Sequence, residues 1–218
     1  ERVTLDSNRI AVTAGCTLTL SKSHVHVREG DVAVIAGDAS VVDIRETLID
    51  GPQGNGVEAF QGSVVRIVNS VIVGQTGSDG AFVGPDGLVL VSYSTIVDSV
   101  IECGTGVASC SVNAPHGVCI ENSIILNTAP NAPANTITET ACRVDFSLVR
   151  PQSTAPTGTN NMLGVDPLLV DVPAGDYHLQ STSPAIDAAD PTATNPTDFD
   201  GILRPQGAAN DLGAFERQ

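Results

Sequence analysis

The chain has 218 residues, which suits one all-β domain, or a domain followed by a tail, and is long enough to bury a sizeable core. Its formal net charge is −15, so its surface repels nucleic acid and anionic lipid but tolerates cations. No apolar run approaches the roughly 18 residues that a membrane-spanning helix needs. We therefore expect no nucleic-acid partner and no membrane span in this chain. It opens on a strand-like segment without a signal peptide, and we expect a mature or truncated piece of a longer protein.

The first 150 residues repeat one pattern, in which a run rich in β-branched residues ends at a small hydroxyl residue and an apolar segment follows. Successive hydroxyl residues are 24, 23, 24, 29 and 24 positions apart. Such a period is typical of stacked structural units. Taking each hydroxyl residue as position 0, positions −5, −3 and +2 are apolar in every repeat. The six hydroxyl residues are Ser23, Thr47, Ser70, Ser94, Ser123 and Ser147.

Alternating apolar residues, a bend and another inward residue describe one coil of a parallel β-solenoid, whose strands stack about 4.8 Å apart. We therefore predict an all-β solenoid of about six coils over residues 1–150. A β-sandwich is the alternative fold, but it would favour hairpins with two-residue loops, which are not evident.

The register of the fourth repeat depends on a choice between Ser94 and Thr95. Counting from Ser94 keeps every apolar column intact, and it predicts Val89 and Val91 inside with Leu90 at least partly exposed.

Two other pairs follow from the same register. Asp43 and Arg66 share position −4 in consecutive repeats, so they should be lateral neighbours on an outer face. Asn69 and Asn122 occupy position −1, at the bend, where Asn tolerates unusual backbone angles. We interpret both asparagines as architectural.

The five cysteines form no C-x-x-C pair, which argues against a zinc or redox motif. Cys103 and Cys110 bracket a short glycine-containing loop in the single long interval, so we predict that they form a disulfide and that Cys16 is unpaired. Cys119 and Cys142 lie one coil apart but differ by one in phase, which leaves their pairing open. This cysteine usage favours an oxidising compartment.

From Pro151 the chain becomes polar and rich in turn residues. Five of its segments resemble, in the same order, the carboxy-terminal signature of the choice-of-anchor Q proteins, which are pectate-lyase-like right-handed β-helices of bacteria. The segments are NSIILN (122–127), DPLLVD (166–171), GDYHLQSTSPAIDAAD (175–190), DFDGILRP (198–205) and DLGAFE (211–216). The resemblance implies a right-handed parallel β-helix and an extracellular or cell-surface protein, but no particular activity.

An open solenoid end exposes strand edges, so we expect residues 151–218 to form a capping tail packed on the helix. Its polar residues have two interpretations. Asp198, Asp200, Arg204 and Asp211 either make structural hydrogen bonds and ion pairs, or Asp198 and Asp200 belong to a Ca²⁺ loop. Carboxylates at i and i+2 before a glycine suit Ca²⁺, although the full EF-hand spacing is missing.

One outward group has the residue types of a catalytic site. The resemblance implies either an Arg or Lys base beside an acidic site, as in lyases, or paired carboxylates, as in hydrolases. Position −2 places Glu121 and Asp145 in consecutive coils, and Arg143 faces the same way as Asp145. These three are the candidate catalytic residues, and a solvated ion pair is the alternative.

His24 and His26 flank the inward Val25, so they should share the outer face. Two histidines at this spacing are able to bind a metal ion, but no third ligand is evident. A solvated pair is the alternative.

Two functions compete. The first is a secreted or surface β-helix that serves envelope structure, adhesion or contact with an extracellular polysaccharide or cell-surface component. The second is a secreted polysaccharide lyase or glycoside hydrolase. With one lysine, two tyrosines and no tryptophan, the composition favours the first.

Overall fold

The chain passes in turn through three parallel sheets, which wall a closed apolar interior. The computed structural model describes residues 3–7, 9–27, 32–51, 55–74, 79–83, 87–103, 108–111, 116–129, 132, 134, 136, 137 and 142–218. Within them, no helix has the length and apolar character needed to cross a membrane. The prediction of an all-β parallel β-helix is confirmed.

Every strand of the three sheets lies parallel to its counterpart one coil away. The first sheet contains β2 (Ile10–Val12), β5 (Val32–Ala36), β8 (Asn55–Ala59), β11 (Asp79–Val83) and β14 (Val100–Glu102). The second contains β3 (Thr17–Ser21), β6 (Val41–Arg45), β9 (Val64–Val68), β12 (Leu88–Ser92), β15 (Gly117–Glu121) and β17 (Cys142–Asp145). The third contains β1 (Val3–Ser7), β4 (Ser23–Val27), β7 (Leu48–Asp50), β10 (Val71–Val73), β13 (Thr95–Val97), β16 (Ile124–Leu126), β18 (Leu148–Arg150) and β19 (Met162–Leu163).

The coils are less uniform than the sequence repeat suggests. Four coils, from β2 to β13, each give one strand to every sheet. In the next coil β14, β15 and β16 also give one strand to each sheet, but the long interval separates β14 from β15. The described residues of the last coil form strands in the second and third sheets, and Ile137 bridges to Ile101 of the first sheet. The regular helix therefore has about four turns, and the predicted number of about six was too high because six hydroxyl repeats do not make six complete coils.

A bend between the second and third sheets explains why each repeat has a hydroxyl residue at position 0. All six residues at position −1 have positive φ, between 45° and 52°, and Asn69 and Asn122 are two of them. The Ser70 hydroxyl donates to the Val68 carbonyl (2.8 Å) and accepts from the Thr47 amide of the preceding coil (3.3 Å). The same contacts recur at the next three repeats, so a buried hydroxyl ladder satisfies the backbone at the bend.

The predicted registers hold in the second sheet. Val89 and Val91 are buried and Leu90 is half-buried, which confirms the count from Ser94. Asp43 pairs with Arg66 across β6 and β9, and their side chains form an ion pair of 3.5 Å.

The predicted Cys103–Cys110 disulfide is wrong. Cys103 bonds to Cys142, and Cys110 bonds to Cys119. Cys103 and Cys142 are fully buried in the helix interior, whereas Cys119 packs with residues on the outer face of the second sheet. The second sheet lies between these two groups of residues. Cys103 and Cys110 therefore form their disulfides on opposite sides of that sheet. Cys16 is unpaired, as predicted.

The tail first continues the coils and then crosses the third sheet. Thr157 bridges to Arg143, and β19 extends the third sheet beyond β18. An antiparallel hairpin follows, made of β20 (Leu169–Asp171), a 3₁₀ turn (Val172–Ala174) and β21 (Asp176–Leu179). Apolar tail residues cover outward positions of the third sheet; the buried contacts join Val71, Val97, Ile124, Leu126 and Leu148 to Leu169, Leu179, Ala185, Leu212, Phe199 and Phe215.

Candidate functional site

The outer face of the second sheet carries a groove of about 420 Å³. Most of its residues lie at the outward positions −4 and −2 of β9, β12, β15 and β17; Val91 and Ile120, at position −3, and the loop cysteine that bonds to β15 complete it. All three predicted catalytic residues line it. The full set is Arg66, Val68, Leu90, Val91, Ser92, Cys110, Cys119, Ile120, Glu121, Arg143 and Asp145.

The acidic pair lies where the register predicts. Glu121 and Asp145 are direct partners in the pairing of β15 with β17. The Arg143 Nε atom donates to Asp145 Oδ2 at 2.7 Å. The other oxygen of Asp145 accepts from the amide and the hydroxyl of Thr159, at 2.9 and 3.2 Å. Asp145 is therefore held in one orientation, while the Glu121 carboxylate makes no hydrogen bond within the described residues.

The environments of the two carboxyl groups shift their pKa values in opposite directions. Loss of hydration raises the pKa of Glu121, and the charges of Asp190 and Asp145 raise it further, although Glu121 as a whole residue is exposed. Loss of hydration would also raise the pKa of Asp145, but the hydrogen bonds from Arg143 and Thr159 outweigh it and lower that pKa. Such a pair can hold one proton on Glu121 while Asp145 stays ionised.

Arg143 is fixed in its charged form. Its hydrogen bond to Asp145 and the charge of that carboxylate raise the pKa of the guanidinium. An arginine can act as a base only after it has lost its own proton. This contact therefore weakens Arg143 as the base of an elimination reaction. The same contact allows Arg143 to orient Asp145 and to donate a hydrogen bond to a ligand.

An apolar floor separates the charged groups of the groove. Leu90 is half-buried and pairs in register with Arg66 on one side and with Cys119 on the other. The Cys110–Cys119 disulfide lies beside it. The outward position of Cys119 in the sequence pointed to a disulfide on this face. The predicted pairing of Cys110 with Cys103 concealed it.

The two aspartates considered for a Ca²⁺ loop contact different groups. Asp198 is buried; its Oδ1 accepts from the backbone amides of Asp200 and Ile202, at 2.9 and 2.8 Å, and its Oδ2 accepts from the backbone amide of Glu216, at 2.9 Å. Asp200 instead contacts His178 Nε2 at 2.9 Å. These contacts favour the structural interpretation of the tail aspartates over the Ca²⁺ loop.

The fold resembles a solved enzyme structure. The crystal structure of pectate lyase Pel9A aligns with a TM-score of 0.54 and 18% sequence identity, over 91% of this chain and 52% of that chain. This chain therefore spans about half the length of the matched structure, and at this identity the likeness shows the fold alone. No protein-family model matches the sequence, and no curated protein matches it.

Proposed function

We propose that this chain is an extracellular or cell-surface β-helix protein that binds a neutral polysaccharide in the groove of the second sheet. The groove itself carries the proposal, because it sets an apolar floor at Leu90 beside the polar groups of Ser92, Glu121, Arg143 and Asp145. Sugar rings present apolar C–H faces and hydroxyl edges, and sites that combine both surfaces suit them. Through this contact the protein would serve adhesion or envelope structure.

The charge of the chain favours neutral glycans over acidic ones. With a net charge of −15, the protein repels a polyanion over long range. Within the groove, Arg66 and Arg143 are each engaged by an aspartate, which leaves little positive charge for uronic acids.

Two observations support the extracellular location. The described cysteines form two disulfides, and such bonds persist in oxidising compartments. The tail segments that resemble the choice-of-anchor Q proteins also imply secretion. Membership of that family is part of this proposal and rests on those segments.

We expect the wild-type protein to bind at least one neutral oligosaccharide of a panel of neutral and acidic glycans, measured by isothermal titration calorimetry. Glu121→Gln should weaken binding roughly tenfold, because the neutral amide keeps a hydrogen bond of about 0.5–1.5 kcal/mol in place of one to a charged group of about 1.5–3 kcal/mol. Glu102→Gln, on the first sheet, is the matched control and should bind as the wild type does. Equal affinities of the two variants, or tighter binding of acidic glycans, would contradict the proposal.

A second candidate function is hydrolysis of the bound glycan, and the opposite pKa directions of Glu121 and Asp145 favour it. Glu121 would donate a proton to the leaving oxygen, and Asp145 would act as the ionised partner. The charged Arg143 argues against the lyase alternative. Elimination needs a base near the substrate, and the ion pair with Asp145 holds the proton on that guanidinium.

If hydrolysis occurs, we expect new reducing ends and a bell-shaped pH profile. Activity should fall at low pH as Asp145 gains a proton, and at high pH as Glu121 loses its proton at a raised pKa. Glu121→Gln should lower kcat about 10²-fold or more, whereas Glu102→Gln should not change it. Unsaturated products, detected by absorbance near 235 nm, would show elimination instead.

A further inference from the structure

Two histidines and an aspartate converge on the outer face of the third sheet. His24 and His26 lie in β4, and Asp50 lies in β7, directly opposite His26. His24 Nε2 is 3.0 Å from Asp50 Oδ2, and His26 Nδ1 is 2.7 Å from Asp50 Oδ1. Within the described part of the chain, this is the one group of three such side chains whose ligand atoms all lie within 4.8 Å of one another.

We propose that His24, His26 and Asp50 form a binding site for a divalent transition metal ion of the zinc type. Imidazole nitrogen and carboxylate oxygen are ligands that zinc prefers, at about 2.0–2.2 Å from the ion. Ligand atoms around one tetrahedral zinc ion are then roughly 3.3 Å apart. The two nitrogen-to-oxygen contacts end on different oxygens of Asp50, while one ligand atom from each of the three residues lies within 4.8 Å of the others. Side-chain rotations therefore bring both nitrogens and one carboxylate oxygen onto a single ion.

The site is preorganised and open. The imidazole rings are nearly perpendicular, at 85°, with centroids 6.4 Å apart. Their positions are fixed by a parallel strand, where His24 and His26 flank the buried Val25. The side chains are partly accessible, from 30% for Asp50 to 47% for His26. Three protein ligands leave at least one position for water or an exogenous ligand, as in open zinc sites.

Another histidine, His178, shows what a simple ion-pair arrangement looks like. His178 contacts Asp176 through Nδ1 at 2.7 Å and Asp200 through Nε2 at 2.9 Å. The imidazole ring therefore lies between its two carboxylates, which cannot share one ion with it. His178 is for this reason a matched control for the His24, His26 and Asp50 group.

The test uses the full chain with its disulfides oxidised, in a Cys16→Ser background, because the exposed thiol of Cys16 would itself bind zinc. After treatment with a chelator, we expect one equivalent of Zn²⁺ to bind, measured by calorimetry, and the melting temperature to rise with Zn²⁺. Co²⁺ should bind in place of Zn²⁺ and give visible absorption bands of a site with nitrogen and oxygen ligands. Millimolar Ca²⁺ or Mg²⁺ should not displace either ion.

His26→Ala and Asp50→Asn should each weaken Zn²⁺ binding at least tenfold and remove the Co²⁺ bands, whereas His178→Ala should do neither. Circular dichroism of each variant without metal checks that the fold is intact. The proposal is overturned if the parent protein shows no saturable Zn²⁺ binding. It is also overturned if His26→Ala and Asp50→Asn bind within twofold of the parent, or if His178→Ala loses as much affinity as they do.

Discussion

Arg204→Met is expected to lower the free energy of unfolding by about 3–5 kcal/mol, because it leaves a buried carboxylate without its counter-charge. The side chains of Arg204 and Glu216 are both fully buried and form an ion pair of 2.8 Å. The guanidinium also donates to the carbonyl oxygens of Asp211 and Gly213, at 3.0 and 2.8 Å. Burial lowers the pKa of Arg204 and raises that of Glu216, so both charges depend on their contacts.

Arg204 also joins the tail to the helix. The Arg204 guanidinium carbon lies 4.9 Å from the centre of the Tyr93 ring, at the bend of the fourth coil. Arg150→Met is the matched control, because Arg150 forms an exposed ion pair with Asp166, and we expect it to cost no more than about 1 kcal/mol. Urea denaturation followed by circular dichroism measures both. Similar losses for the two variants would contradict a special role for the buried pair.

Removal of the interior disulfide is the second large effect that we expect. The Cys103–Cys142 bond closes a sequence separation of 39 residues, whereas Cys110–Cys119 closes one of 9. Loop-closure entropy then gives about 4 kcal/mol for the first bond and about 2.5 kcal/mol for the second. Each pair is replaced by two alanines, and stability is measured by urea denaturation without reductant.

Cys16→Ser controls for loss of a thiol and should leave stability unchanged, since Cys16 is exposed and unpaired. A larger loss from the outer pair Cys110–Cys119 than from the interior pair would contradict the expectation.

The coils could be predicted from sequence because each inward ladder repeats one chemical property at a fixed spacing. Positions such as Val42, Val65 and Val89 are apolar, 23 and 24 residues apart, and fully buried. The same register placed Glu121 beside Asp145 and Asp43 beside Arg66. In a parallel β-helix, residues at the same position of consecutive repeats are lateral neighbours.

The remaining features depend on contacts between distant segments. The cysteine pairing failed because proximity in sequence does not say on which side of the sheet each sulfur lies. The face covered by the tail did leave a signal, since the outward position +1 is apolar in four of the six repeats, at Leu48, Val71, Ile124 and Leu148. Asp50 also left one, because it occupies position +3, as His26 does one coil earlier. The division into coils and tail at residue 150 stays a prediction.

Chemical-shift mapping of the methyl groups of Ile, Leu and Val most directly tests whether the groove of the second sheet binds glycan. The labelled protein is titrated with the neutral oligosaccharide that binds most tightly. We expect shift changes at Leu90 and Val68, which line the groove, and none at Leu203, which is 68% exposed on the tail. Changes confined to Leu203 and the tail, or no methyl changes with a glycan that binds by calorimetry, would contradict the proposed site.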